Sequence, residues 1–144
     1  HNDSAVRGSF VGLDVATTPE DLTQAVMEGV SFALRDSLDA LKATGTNLSR
    51  ILAIGGGTKS QFWLEILATT LNLPLDLPEK GEFGAALGAV RLAIAADTNA
   101  DLSTIMTAPK VAATVEPRVE LVDRYSESHA RYRALYPHLK AALT

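Results

Sequence analysis

The chain has no cysteine. That excludes disulfides, thiolate catalysis and cysteine-type zinc sites, and it suits a reducing cytoplasm. It has no apolar run of membrane-spanning length and no signal-peptide pattern at its start. It has no excess of positive charge. The formal net charge is -4, which argues against nucleic acid as the main partner. An anionic nucleotide is a separate matter, because local donors hold it. Histidine is scarce as well, with only three. None has metal-ligand spacing to another histidine or to a carboxylate pair, so no protein-held metal is expected. These absences together predict a cytoplasmic protein without a nucleic-acid or membrane partner.

What is present is enough for one ordinary domain. The 144 residues are 47% hydrophobic and 21% charged, which predicts a buried core rather than disorder. The sequence has no internal repeat and no low-complexity segment. Its first residue is His1 rather than methionine, so the expectation is a trimmed chain or a piece of a longer protein.

The centre of the chain is Ile51-Leu52-Ala53-Ile54-Gly55-Gly56-Gly57-Thr58-Lys59-Ser60. Four apolar residues read as a short buried strand, glycines follow at once, and a helical pattern opens after them. Glycine permits backbone angles and close approaches that a Cβ forbids. A helix N-terminus behind such a turn offers unpaired N–H groups and partial positive charge, which suits a phosphate or a nucleotide. A tight strand-to-helix turn with no ligand would look the same.

Around this centre the pattern predicts an α/β chain. Ser9 to Val15 alternates as a strand. Thr18, Pro19, Glu20 and Asp21 start a helix that runs to about Thr44 and stops at Gly45. Its stripe is Leu22, Ala25, Val26, Val30, Ala33, Leu34, Ser37, Leu38 and Leu41, with Gly29 on it for close approach by a backbone or ligand. A second helix covers about Lys59 to Leu71, with Thr58 as cap and Gln61 at capping-box spacing, which leaves Ser60 available. Leu73 to Leu77 reads as an edge strand because of Pro74. A third helix opens at Gly81 and Glu82 and runs to about Ala96. Gly84, Ala85, Gly88 and Ala89 give it a face for tight packing. Thr98 to Val115 has little pattern beyond a helical turn near Ile105 and Met106. A last helix spans about Arg118 to Ala142, with Tyr125, His129, Tyr132 and Tyr136 on a packing seam.

Two general nucleotide motifs compete at the glycines. The Walker type fails, because Thr58 lies between Gly57 and Lys59 and leaves Lys59 a solvated side chain. A dinucleotide fingerprint fits better: Gly55-x-Gly57-x-x-Ser60 follows a strand, and Asp76 closes the next one. Its third glycine position is serine, and it sits mid-chain.

A third reading comes from resemblance. Gly8-x-Phe10-x-Gly12-Leu13, followed by Asp21-Leu22-x-x-Ala25-Val26-Met27-Glu28, resembles the C-terminal signature of the FGGY family of carbohydrate kinases. Ile54 to Ser60 resembles that family's adenosine-binding loop, and Glu82-x-x-Ala85-Ala86-Leu87-Gly88-Ala89 resembles the helix after it. The closing tyrosines, ending Leu135-Tyr136-Pro137, resemble the family's last helix. The motifs come in the family's order. Within the family, His1-Asn2-Asp3 and Arg7-Gly8 are most similar to the xylulose kinases.

The resemblance implies an actin-like ATPase, ribonuclease H-like α/β fold with a C-terminal helix. It makes this chain most of the second, ATP-binding domain, without that domain's first hairpin. The sugar site and the catalytic aspartate would lie in an N-terminal domain outside this chain, so no catalytic residue is expected here. Asp3, Asp14 and Asp21 read as loop, strand and helix-start residues. It implies transfer of the γ-phosphate of ATP, with Mg²⁺, to a sugar such as D-xylulose; ribulose, gluconate and glycerol are the family alternatives. Gly55 would shape the turn, Gly56 and Gly57 would let the backbone lie against adenosine and α-phosphate, and Ser60 would bond adenine or ribose. A bulky residue at Gly57 should then abolish nucleotide binding without harm to the fold. Phe62 and Trp63 read as packing under the loop. The intact enzyme would be a homodimer. The strands seen here would not form a continuous sheet alone, and the segment would need the longer enzyme for stability. From other classes, a dinucleotide-binding oxidoreductase fragment and a non-catalytic actin-like interaction domain stand as rivals.

Overall fold

The computed structural model describes residues 7–79 and 84–143. Expectations that fall on His1 to Asp3, on Gly81 and on Glu82 lie outside the described residues.

The first long element is α1, Pro19–Ala43. Its start is a reciprocal capping box. The Asp21 N–H donates to Thr18 Oγ1 at 3.2 Å, and the Thr18 N–H donates to Asp21 Oδ2 at 2.9 Å. The backbone donor of Thr18, then its hydroxyl, hold the Asp21 carboxyl below its ordinary pKa. The helix ends at Thr44, and Gly45 follows with φ +86°, the left-handed angle that glycine adopts without strain.

The sheet has three strands in the order β1 (Ile51–Leu52), β2 (Leu75–Pro78), β3 (Val111–Val115). β1 and β2 are parallel, with Ile51 beside Leu75, and β2 and β3 are antiparallel, with Leu75 beside Val115. Between β1 and β2 runs α2, Gln61–Leu71. It buries Leu64, Ile66, Ala68, Thr69, Thr70 and Leu71, nearly all round its axis, so it is the middle of the molecule. The core joins Leu38 of α1, Leu64, Ala68 and Leu71 of α2, Leu75 of β2 and Val115 of β3. After β2 come α3, Gly84–Thr98, and the single turn α4, Leu102–Ile105. The chain closes on α5, Val122–Leu143, entered through a 3-10 turn at Val119–Leu121.

Several expectations change. Ser9 to Val15 is not a strand. Its alternation is real, but no strand among the described residues pairs with it, and Phe10, Val11, Leu13 and Val15 are all exposed. Gly12 turns the chain at φ +82°, and Asp14 closes a turn by accepting from the Ala16 N–H at 2.9 Å. The strand that completes the sheet is instead Val111–Val115, so the three observed strands are continuous. β2 is central rather than at an edge. Pro74 lies just before it and needs no donor there: its carbonyl accepts from the Ile51 N–H at 3.0 Å. Pro78 sits at the far end, where the register to β3 shifts.

The helix faces also differ. Of the predicted α1 stripe only Leu38 is buried; Val26, Val30, Leu34 and Leu41 are exposed, and the helix packs through Ser31, Phe32 and Leu38. A Cβ on Gly29 would meet nothing within 4 Å, so no backbone among the described residues makes a close approach there. α3 has no buried residue among those described. Gly84 does allow a close approach, since a Cβ there would lie 3.1 Å from Ile54 Cδ1, whereas Gly88 faces open space.

The seam on α5 holds for Tyr125, His129 and Tyr132, with Phe32 of α1 at its centre. That ring meets Tyr125, His129 and Tyr132 at centroid distances of 6.4, 5.8 and 5.4 Å. His129 is buried and bonded to Asp36 at 2.9 Å, as a structural residue. No helix among the described residues is long and apolar enough to cross a membrane.

Candidate functional site

The glycine turn joins β1 to α2. Ile51 and Ala53 donate their N–H groups to Pro74 and Asp76 of β2, which fixes the strand that feeds the turn. Gly55 then takes φ +94° and ψ −178°, angles that a side chain rarely adopts. A 3-10 turn over Gly56–Lys59 follows. Thr58 closes it: its hydroxyl donates to the Gly55 carbonyl at 2.7 Å, and its N–H donates to the same oxygen at 3.2 Å.

Thr58 is therefore not the helix cap. Ser60 is: its Oγ accepts from the Trp63 N–H at 3.3 Å. The extra 3-10 turn moves the helix start on by two residues, and Gln61 instead donates to Glu65 at 2.9 Å. Ser60 Oγ keeps its own hydrogen as a donor while it caps.

The three glycines have three different surroundings. Gly55 is fixed by its backbone angle. Gly56 is exposed, and a Cβ on it would meet nothing within 4 Å, so its bare face opens outward. Gly57 is different: a Cβ there would sit 2.6 Å from Cζ3 and 3.1 Å from Cε3 of Trp63. The expectation that Gly57 could be enlarged without harm to the fold is thus corrected, because the indole already fills that space. Trp63 is the packing residue beneath the turn, and Phe62 is 52% exposed and is not.

Charge near the turn is arranged around Asp76, 7% exposed on β2. Arg50 Nε meets its Oδ2 at 2.9 Å, and Thr114 Oγ1 donates to its Oδ1 at 2.7 Å. Both carboxylate oxygens are taken, so Asp76 fastens β1, β2 and β3 together and is not presented to a ribose. That removes the acidic half of the dinucleotide fingerprint. Lys59 is exposed. Among the described residues no group of three or more histidine, aspartate or glutamate residues is placed to hold a metal ion.

Sequence reasoning missed Arg50 and Thr114 because a buried carboxylate's partners come from distant positions. It missed the Trp63–Gly57 contact because nothing local in a strand-turn-helix pattern says which side of the turn the indole takes.

A glycine turn between a parallel strand and a buried helix is common to several folds; the comparisons decide among them. The family model described as the FGGY family of carbohydrate kinases, C-terminal domain, matches residues 1–96. The chain belongs to the FGGY family of carbohydrate kinases. This FGGY chain is 34% identical over 140 residues to the xylulose kinase of Escherichia coli K12, covering 96% of the chain and 29% of that relative. It is 51% identical to the crystal structure of a xyloylose kinase from Brucella ovis, with a TM-score of 0.88 over 99% of this chain and 29% of that one. A gluconate kinase from Lactobacillus acidophilus matches at 29% identity and a TM-score of 0.81, over 98% of this chain and 29% of that one. The fold is thus the second, actin-like α/β domain of the FGGY kinases, with its C-terminal helix. The chain spans about 29% of the length of the curated relative from E. coli.

Proposed function

We propose that this chain is most of the ATP-binding domain of a sugar kinase that converts D-xylulose to D-xylulose 5-phosphate. The observation that carries the nucleotide part is the outward-facing, side-chain-free surface at Gly56, behind a positive-φ glycine and ahead of a capped helix. A Cβ on Gly56 would fill the cradle where we seat adenosine and the α-phosphate. In this reading Gly55 shapes the turn, Gly56 leaves the backbone bare, Gly57 leaves room for the Trp63 indole behind the turn, and the free hydrogen of Ser60 reaches adenine or ribose. The likeness to relatives described as xylulose kinases favours the pentulose over gluconate or glycerol.

ATP supplies the phosphoryl group, and Mg²⁺ would arrive with its phosphates. Such transfer needs positioning and charge stabilisation rather than a covalent intermediate. We assign the sugar site and its base to an N-terminal domain, so the chain alone should not phosphorylate sugar. The intact protein we take to be a cytoplasmic homodimer, which light scattering on the eluting peak would test. The substrate reading is tested by coupled ADP release from the intact protein with D-xylulose, D-ribulose, gluconate and glycerol. D-xylulose should give the highest kcat/KM; a higher value for any of the others would replace it.

A further inference from the structure

The geometry points to Trp63 as the positioning residue of the nucleotide turn, acting through Gly57 and without touching the nucleotide. This inference rests on the nucleotide reading above. Its own observation is the fit between the two residues. The benzo ring of Trp63 lies where a Gly57 side chain would be, with Cζ3, Cε3 and Cη2 at 2.6, 3.1 and 3.4 Å from the missing Cβ. The turn can follow its present path only because position 57 has no side chain, and it is held on that path because position 63 has a large flat one.

The backbone that carries the ring is anchored, while the ring's own Nε1–H is buried without a hydrogen-bond partner among the described residues. The Trp63 backbone N–H is bonded to the Ser60 cap, so the residue belongs to the first turn of α2. Leu64, the next residue, is buried in the core. The indole therefore carries the position of α2 to the turn. Gly57, Thr58 and Trp63 also line an apolar cavity of about 470 Å³ with Ile54, Leu52 and Leu34. Space is open beside the turn, and the ring is what fills it at Gly57. Cores lose attraction and definition when a ring is removed and its neighbours cannot collapse fully. A shorter side chain at 63 would let the turn sink toward the vacated space and carry the Gly56 face with it. A misplacement of about 1 Å in a binding surface is enough to weaken it strongly.

The test is a double-mutant cycle in the intact protein, read as separate KM values for ATP and for the sugar. Trp63→Leu and Gly57→Ala should each raise the KM for ATP about tenfold and change the sugar KM by less than about twofold. The double variant should recover, with an ATP KM at least roughly threefold below that of either single, because the new methyl occupies the space the ring left. A merely structural role would move both KM values together or lower kcat alone. Trp63→Phe, which keeps a ring, should raise the ATP KM less than Trp63→Leu does, and it serves if the leucine variant fails to fold. Unchanged ATP KM in both Trp63 variants, or single effects that multiply in the double variant, would overturn the inference. Calorimetry of the unmodified protein separates the two levels: absence of MgATP binding there refutes the nucleotide reading, whereas binding with an additive cycle refutes only the role of Trp63.

Discussion

His129 on α5 is bonded to Asp36 on α1 at 2.9 Å, with the imidazole against the Phe32 ring. Arg133 Nε approaches the same Asp36 oxygen at 3.4 Å. The Asp36 carboxylate and the Phe32 ring thus help fasten the last helix to the first. His129→Ala should cost about 1–3 kcal/mol, because it removes a buried partner and leaves a gap beside Phe32. Urea unfolding of the intact protein checks this; a shift under about 0.5 kcal/mol would place His129 outside the seam's energetics.

Tyr125 predicts a response to alkali. Its hydroxyl donates to Glu28 at 3.2 Å. Burial first, and then the Glu28 charge, push its pKa up to about 12 from 10.0. A raised folded-state value means the folded protein holds this proton more tightly than the unfolded chain. The resulting stabilisation is complete below about pH 10 and is lost as pH rises toward 12. Tyr125→Phe has no proton to lose there, so its stability should fall less steeply between those limits. Equal slopes for the two proteins would contradict the assignment.

The clamp at Asp76 should be costly to open. Asp76→Ala removes the buried carboxylate that accepts from the Thr114 hydroxyl and pairs with Arg50, whose side chain is 56% exposed and readily rehydrated. We expect a loss of about 2–3 kcal/mol from Asp76→Ala, with Asp76→Asn less severe because its carbonyl still accepts from Thr114. Chemical denaturation gives both values, and an asparagine variant worse than alanine would contradict the hydrogen-bond account.

At the other end of α1, Thr18→Ala should cost about 1 kcal/mol by removing one half of the capping box. A thermal melt compared with Thr18→Ser, which keeps the hydroxyl, is the check: serine should restore most of the loss.

The helix start at Thr18, the stop at Gly45 and the α5 seam were legible because each is a local rule, whereas the capping box read at Thr58 and Gln61 was overridden by the 3-10 turn and the real one lies at Thr18 and Asp21. A threonine cap before proline, a glycine past a helix end, and aromatics at three- and four-residue steps need no knowledge of the rest of the chain. The strand assigned to Ser9–Val15 failed for the opposite reason: alternation shows what a segment could do in a sheet, not whether a neighbour is there. Val111–Val115 was missed because its alanines and threonine carry little apolar pattern, and β2 supplies the pairing that makes it a strand. α1 misled because it is apolar on more than one face, and periodicity does not say which face is covered. At the site, Gly55 to Gly57 stood out in the sequence, but their separate reasons did not. One is an angle, one an open face and one a contact with a tryptophan six positions on.

Those separate reasons select the decisive measurement, since only Gly56 can be enlarged without backbone strain or an internal clash. Calorimetric titration of the intact protein with MgATP, unmodified and as Gly56→Leu, tests the account directly. The expected result is saturable binding to the unmodified protein and at least about a hundredfold loss in the variant, with an unchanged melting profile. A Gly56→Leu protein that binds MgATP as tightly as the original would place the nucleotide elsewhere.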